Sequence, residues 1–198
     1  HDQSRVATRL GEAPARVAAM LLLTLRGTPT LYYGDEVGLP DVPVPPERVV
    51  DVAGRDPERS PMPWTTGANA GFSTADPWLP VTDDPGRYSV EAQERSPASM
   101  LALHRRLLAL RRSEPALHLG SWTGLDAPAG VIAYGREHGG TRFLVLLNLT
   151  RTPATVALEG AWIVELSTGL DREPGASAPA CVELRGDEGL ILRAVVSR

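Results

Sequence analysis

The sequence has little of several features that would assign a protein class at once. Among its 198 residues one is a cysteine, Cys181, so no internal disulfide can form. Because no His or Cys stands near it at metal-ligand spacing, Cys181 is expected to be a buried or half-buried small hydrophobic residue. Lysine is absent, and all 20 basic residues are arginines.

Two kinds of partner are disfavoured by the charge and hydropathy patterns. The 20 basic and 24 acidic residues give a net charge of −4, with no block of like charge. No basic stripe exists that could neutralise phosphates, so no nucleic-acid partner is expected. The longest dense apolar segment, residues 17–25, is shorter than the roughly 20 residues that cross a bilayer, so no membrane partner is expected either.

The first part of the chain has the pattern of an α/β segment. Residues 14–25 are apolar at nearly every position, which predicts a helix buried on more than one side. Gly27 should end this helix. Residues 30–33, Thr-Leu-Tyr-Tyr, then predict a short buried strand that stops at Gly34.

Residues 34–96 form a long, proline-rich stretch without periodicity. Its aromatic residues argue against disorder, and a loop of this length in a compact domain usually builds a functional site. Ser96 and Pro97 then predict the N-cap and first turn of a second helix. Its apolar stripe comprises Met100, Leu103, Leu107 and Leu110, and its arginines at 105, 106, 111 and 112 fall mainly outside that stripe.

Beyond about residue 117 the pattern changes to short strands separated by glycine-containing turns. The candidate strands are residues 121–125, 131–138, 142–149, 154–158, 162–166, 180–184 and 189–196. Short strands at regular spacing favour an antiparallel sandwich. The predicted fold class is therefore α/β plus all-β, in two domains that comprise residues 1–116 and 117–198.

Four segments of the α/β part could carry chemistry. The first is HDQSR at the start of the chain, where His1 and Asp2 precede Arg5 by a few residues. The second, residues 27–38, places Asp35 and Glu36 at the carboxyl end of the predicted strand, where sites are built in barrels; a supporting role is favoured for both.

The other two segments lie in the long loop and at the second helix. Residues 54–64 carry two arginines and Trp64 on a proline-stiffened loop. This loop either covers a sugar or packs on itself through Arg–carboxylate pairs, and its residues alone leave both readings open. Residues 90–117 predict an amphipathic helix in which His104 is a structural histidine rather than a ligand.

In this order and spacing, the four segments resemble the α-amylase superfamily, glycoside hydrolase family 13, in its α-glucosidase and oligo-1,6-glucosidase branch. HDQSR is similar to the branch's HDQPR, and residues 55–64 are similar to RDNARTPMQW. Residues 27–38 resemble barrel strand eight and its following turn, and VEAQE through LRRSEPAL resembles the eighth barrel helix. The resemblance implies the C-terminal part of a (β/α)8 TIM barrel at 1–116, followed by an antiparallel β-sandwich, domain C, at 117–198.

The resemblance also implies the chemistry of a retaining glycosidase. Such enzymes use an Asp nucleophile and a Glu acid–base, whose carboxyl groups lie about 5–5.5 Å apart. The match implies that Asp2 is a third carboxylate that stabilises the transition state, and that His1, Arg5 and Arg59 bind the substrate. The nucleophile and the acid would lie upstream of His1, so a truncated chain that is inactive alone is expected.

The implied substrates are α-glucosidic malto- or isomalto-oligosaccharides. No cofactor and no metal site are expected, and a cytoplasmic location is the expectation for this branch. One alternative is a trehalose synthase or another glucan-transferring relative. The other is a non-catalytic sugar-binding or scaffold protein, which would explain the missing carboxylates without truncation.

Overall fold

Helices and turns occupy the first 120 residues of the computed structural model, which describes residues 1–195. The helices of the described residues are α1 (Val6–Leu10), α2 (Glu12–Thr24), α3 (Pro85–Tyr88), α4 (Val90–Glu94), α5 (Met100–Ser113) and α6 (Pro115–His118). Single 3-10 turns at Asp35–Val37, Pro46–Arg48, Pro57–Arg59 and Ala68–Gly71 punctuate the long loop.

The chain divides into two units. One comprises His1–Ala15 and Thr30–His104, and the other comprises Arg16–Pro29 and the residues from Arg105 onward. In the first unit, a small core of Val37, Leu39, Met62 and Leu101 is flanked by Tyr88 and Val90. The domain boundary expected from the sequence stays a prediction.

Helix α2 confirms the apolar helix expected at residues 14–25. It starts at Glu12, and its buried side chains are Ala15, Val17, Ala19, Met20 and Leu23. Leu22 is 37% exposed, so the burial does not extend all round the helix. Near its end the Thr24 hydroxyl donates to the Met20 carbonyl at 2.6 Å, a local hydrogen bond available to β-branched hydroxyl residues.

The strand expected at residues 30–33 is wrong. These residues lie outside every strand of the described chain, and Leu31 and Tyr33 are 36% and 40% exposed rather than buried. A strand needs ladder hydrogen bonds to a neighbour, and an apolar run alone does not supply one. Within residues 1–195 no segment pairs with this run.

Helix α5 starts later than its predicted cap. The hydroxyl of Ser99, rather than that of Ser96, accepts the backbone N–H of Ala102 at 3.1 Å. The Gln93 side-chain oxygen accepts the N–H of Leu101 at 3.0 Å and so satisfies a second free donor of the first turn. The apolar stripe is confirmed for its first three members, Met100, Leu103 and Leu107, which are buried.

Two buried arginines hold the C-terminal end of α2 in the second unit. Arg111 was expected mainly outside the apolar stripe but is 8% exposed. Its guanidinium donates to the carbonyls of Leu23, Leu25, Leu117 and Gly27 at 2.5–3.0 Å. Arg136 donates to the carbonyls of Thr24, Ser121 and Gly120. The last carbonyls of a helix lack intrahelical partners, so these side chains cap it.

The strands of the second unit agree closely with the sequence pattern. They are β1 (Ser121–Leu125), β2 (Val131–His138), β3 (Thr141–Asn148), β4 (Ala154–Ala157), β5 (Trp162–Ser167), β6 (Cys181–Leu184) and β7 (Gly189–Ala194). Position 196, the predicted end of the last strand, lies outside the described residues. The order β1-β2-β3-β7-β5 forms one antiparallel sheet, and β4 pairs with β6 in a second.

Side chains from both sheets meet in one core. Leu144 and Leu146 of β3 pack with Val156 of β4 and with Val182 and Leu184 of β6. Successive residues of a strand point to opposite faces of the sheet. Val182 and Leu184 of β6 therefore face the core, whereas Cys181, the first residue of β6, faces solvent. Cys181 is exposed, and its expected burial is therefore wrong.

Candidate active site

Three of the predicted site residues lie together in the first unit. The Asp2 carboxylate accepts a hydrogen bond from Arg59 Nη2 at 2.8 Å, and Arg59 Nε donates to the His1 carbonyl at 2.9 Å. Arg55, whose role the sequence left open, adds a second bond to Asp2 from its Nη1 at 3.2 Å. The 3-10 turn at Pro57–Arg59 thus brings the long loop onto the first two residues of the chain.

A second carboxylate, Asp51, completes this arrangement. Arg55 donates to it from Nε at 2.6 Å and from Nη2 at 3.0 Å, and Arg59 Nη1 lies 3.7 Å away. The hydrogen bonds from Arg55 hold the pKa of Asp51 well below its usual range. We call Asp2, Asp51, Arg55 and Arg59 the Asp2 cluster. Sequence reasoning missed Asp51, although its spacing of four residues before Arg55 was a possible signal.

The loop that carries the two arginines is fixed from within. Asp56, which is 2% exposed, accepts the backbone N–H groups of Val50 and Asp51 at 2.9 Å each. Arg–carboxylate pairs, Arg55 with Asp51 and Arg59 with Asp2, also hold this loop. They agree with the interpretation that the loop packs on itself. Trp64 nevertheless remains 51% exposed, so the loop keeps an aromatic surface available.

Arg5 lies beneath the site rather than at its surface. It is 2% exposed, and its Nη1 donates to the Tyr33 carbonyl at 2.6 Å. Its guanidinium carbon lies 4.9 Å from the ring centroids of both Tyr32 and Tyr33, a cation–π arrangement. Gly34 is required here, because its φ is +88° and a Cβ would lie 2.7 Å from Arg5 Nη1. A direct contact between Arg5 and a substrate stays a prediction.

Asp35 and Glu36 follow this crowded turn. The Gly34 N–H donates to Glu36 Oε2 at 2.6 Å, which fixes the turn. Burial raises the pKa of the Asp35 carboxyl, and the charge of Arg5 opposes that rise. These contacts fit the supporting role that the sequence favours for both residues.

A cavity of about 340 Å³ borders the Asp2 cluster. Arg59 belongs to both, since it lines the cavity and also binds Asp2. Four aromatic side chains, those of Tyr33, Trp64, Phe72 and Trp78, line the cavity together with Glu36, and we call it the aromatic cavity. Its size lies at the lower end of the range for small-molecule sites, and its mostly apolar lining with a few polar groups is typical of them.

Neither a metal cluster nor a membrane-spanning helix is found in the part of the chain that the structure describes. Within residues 1–195, no three His, Cys, Asp or Glu side chains form a group that could hold a metal ion. The helices of the same residues are too short or too polar to cross a membrane.

The family follows from comparison with known proteins. Residues 1–120 match the alpha-amylase family, described as "Alpha amylase, catalytic domain". The chain belongs to this family. The catalytic domain of the alpha-amylase family is a TIM barrel, and the solved structures that resemble this chain include other members of the family. The match covers the whole of the Asp2 cluster and the aromatic cavity.

Relatives in the alpha-amylase family carry α-glucosidase and synthase names. The chain is 35% identical over 156 residues to a probable alpha-glucosidase of Rhizobium meliloti. This match covers 74% of the chain and 28% of the relative. The chain is also 40% identical over 150 residues to a trehalose synthase/amylase of Mycobacterium tuberculosis. This match covers 70% of the chain and 24% of the relative.

A solved structure is similar over nearly the whole chain. The trehalulose synthase of Pseudomonas mesoacidophila MX-45 is similar with a TM-score of 0.85 at 27% identity, covering 98% of this chain and 42% of that one. The chain thus spans about a quarter of the length of the two curated relatives and less than half of this structure.

Proposed function

We propose that the chain forms the C-terminal part of a retaining α-glucosidase, in which Asp2 stabilises the transition state. The observation that carries the proposal is the position of Asp2 between two guanidiniums. The hydrogen bonds of the described residues go to its Oδ1, which leaves Oδ2 for a sugar hydroxyl. The side chain is 53% exposed, so a substrate can reach it.

The remaining predicted residues surround this carboxylate. The His1 imidazole is 69% exposed and lies 3.4 Å from Asp2 Oδ1, in reach of the same sugar. Arg59 and Arg55 fix the orientation of the carboxylate, because preorganised partners lower the reorganisation needed in the transition state. Arg5 acts from beneath, through the Tyr33 backbone and ring.

The other two carboxylates of a retaining mechanism belong to the proposal as well. An Asp nucleophile and a Glu acid–base are proposed to come from a barrel segment outside these 198 residues. In this proposal residues 1–116 complete the barrel, and residues 117–198 form the β-sandwich domain C. The substrates are malto- or isomalto-oligosaccharides. The cytoplasmic location rests on the family resemblance alone.

Hydrolysis of p-nitrophenyl α-glucoside tests the role of Asp2. We expect no turnover by the 198-residue chain alone, and turnover when the chain is joined to an upstream barrel segment of the family. In that longer protein, Asp2→Asn should lower kcat/KM by roughly 100-fold or more, the scale of losing one transition-state contact. Asp83→Asn, which changes an exposed carboxylate, is the control.

Two results would contradict the proposal. Wild-type turnover by the Asp2→Asn variant of the longer protein would remove Asp2 from the mechanism. Turnover by the 198 residues alone, lost on Asp2→Ala, would place a nucleophile and an acid within this chain.

A second candidate, a trehalose synthase or another glucan-transferring enzyme, is favoured by two of the comparisons. The 40% identity is to a trehalose synthase/amylase, and the similar structure is a trehalulose synthase. Both reactions pass through a glycosyl-enzyme intermediate. In hydrolysis water attacks this intermediate, whereas in the synthase or transfer reaction a sugar hydroxyl attacks it. Product analysis with maltose decides between the two, because hydrolysis releases glucose and the synthase reaction forms a new disaccharide.

A further inference from the structure

The two edges of the five-stranded sheet in the second unit differ. At one edge, residues 175–178 pair with β5 through backbone hydrogen bonds of 2.8 Å, and a register shift between Val164 and Leu166 interrupts the regular ladder of that strand. At the other edge, β1 pairs with β2 alone, and no segment of residues 1–195 pairs with its outer side. The outer side of β1 is therefore the uncovered edge of this sheet.

Strand β1 has none of the features that usually prevent an edge strand from pairing. Natural edge strands are protected by charged side chains, by proline or by bulges. The sequence of β1 is Ser-Trp-Thr-Gly-Leu, which contains neither charge nor proline, and all five residues are exposed. Its register with β2 runs without interruption from Ser121 to Leu125. The outer side of β1 can thus accept another strand through regular backbone hydrogen bonds.

Apolar side chains are exposed along the same edge. Leu119, Trp122 and Leu125 are 66%, 47% and 48% exposed. Thr123 and Leu125 also line a cavity of about 280 Å³ on the face of the sheet that carries Leu144. Exposed apolar surface gathered at one place marks an interaction site. The strand that fits this edge is therefore uncharged and partly apolar.

Strand β1 itself meets this description. When two copies of β1 pair antiparallel about a two-fold axis at Thr123, Trp122 lies opposite Gly124 and Ser121 lies opposite Leu125. No like charges meet in this register, and a Thr–Thr pair at the axis is favourable. Gly124 has no side chain to obstruct an indole ring, and an aromatic ring beside an edge glycine stabilises a sheet. The sequence of β1 is therefore complementary to itself.

We propose that the outer edge of β1 is a homodimer interface, at which β1 pairs antiparallel with β1 of a second copy about Thr123. The two five-stranded sheets then form one continuous sheet, and the interface is isologous, with the same residues contributed by each copy. A single pair of short strands makes a small interface, so association depends on protein concentration. This dimer requires no glycosidase activity, and its test is independent of the role of Asp2.

A charge placed at the two-fold axis tests the inference. Sedimentation velocity of the 198-residue chain is measured over a concentration series with a reductant, so that Cys181 does not link copies. Wild type should show a monomer–dimer equilibrium. Thr123→Lys and Thr123→Glu each place two like charges opposite each other, and each should raise the dimer Kd roughly 5-fold or more. An equimolar mixture of the two variants should recover the association, because Lys then lies opposite Glu.

The matched control is Thr155→Lys, at an exposed position of β4, which should associate as wild type does. Thermal melts show whether each variant is folded, and recovery in the mixture shows that both keep a competent edge. Four results would overturn the inference. They are a wild-type chain that stays monomeric, a dimer that neither Thr123 variant weakens, a mixture that does not recover, or an equal loss in Thr155→Lys. A monomeric chain that binds an unrelated extended peptide at β1 belongs to the first of these.

Discussion

At the scale of single residues, the site depends on pairings between positions far apart in the chain. Asp2 and Arg59 are 57 positions apart, and Asp2 and Arg55 are 53 apart. Two carboxylates, Asp2 and Asp51, share the two guanidiniums, so each arginine is oriented from two sides. A change at either arginine should therefore act on the orientation of Asp2 more than on folding.

Arg59→Gln tests this division. In a longer protein with activity, we expect kcat/KM to fall by roughly 10- to 100-fold, because misorientation of a catalytic group costs about that much. The free energy of unfolding of the 198-residue chain should change by less than about 0.5 kcal/mol, since the Arg59 side chain is partly exposed. Arg95→Gln, which removes an exposed pair with Glu91, is the control for activity. Equal activities of the two variants would contradict the expectation.

A second residue-scale prediction concerns pH. Hydrogen bonds from Arg185 lower the pKa of Asp171 to about 2, from an ordinary value of 3.8. A depressed carboxyl pKa stabilises the fold above about pH 4, and this stabilisation is lost as pH falls toward 2. The pair is half exposed, so its contribution should stay below about 1 kcal/mol.

The measurement is the melting temperature of wild type and Asp171→Asn from pH 6 to pH 2. The difference between them should be full at pH 5–6 and should disappear near pH 2. Glu173→Gln, at an exposed neighbouring carboxylate, should show no such trend. A difference that is constant across this range would contradict the assignment.

At the scale of elements, the end of α2 illustrates how a helix terminus can be fixed by side chains from elsewhere. Helix α2 has no basic residue in its last turn. Arg111 of α5 and Arg136 of β2 instead donate hydrogen bonds to the last carbonyls of α2 and to those of the residues that follow it. Burial lowers the pKa of both guanidiniums, but they stay charged at neutral pH because an arginine loses its proton only under strongly basic conditions.

Arg111→Met should destabilise the second unit by about 2–4 kcal/mol, because four carbonyls lose their donor and buried acceptors without partners are costly. Urea denaturation measures this change in free energy of unfolding. Arg112→Met, at the exposed neighbouring position, should change stability by less than about 0.5 kcal/mol. Similar losses in both variants would show that the carbonyl contacts of Arg111 have no special role.

At the scale of the whole molecule, a single exposed thiol sets the response to oxidation. Cys181 is exposed on β6, and the 198 residues contain no second cysteine with which it could pair. Under oxidising conditions we expect disulfide-linked dimers that a reductant reverses and that Cys181→Ser prevents, as read on a non-reducing gel. The free energy of unfolding should be unchanged in the variant, since the Cys181 side chain is exposed. Dimers that persist in Cys181→Ser would contradict this.

Some features of the fold follow from local sequence alone. The strands of the second unit are marked by alternation and by glycine turns, and β1 and β2 lie at the predicted positions. The helix α2 was likewise predicted from a local feature, the apolar run at residues 14–25. The motifs also identify the alpha-amylase family, because four short segments in a fixed order carry the information without any contact being known.

Other features were decided by tertiary contacts. The Thr-Leu-Tyr-Tyr run at 30–33 has strand propensity but no partner within the described residues, and Cys181 has a small apolar side chain yet faces solvent. Asp51 is joined to Asp2 through Arg55 and Arg59, which each contact both carboxylates. The aromatic cavity collects rings from positions 33, 64, 72 and 78, and no periodicity in the sequence predicts that these four meet. Sequence pattern determines which segments can form elements, whereas proximity between distant side chains arises only when the chain is folded.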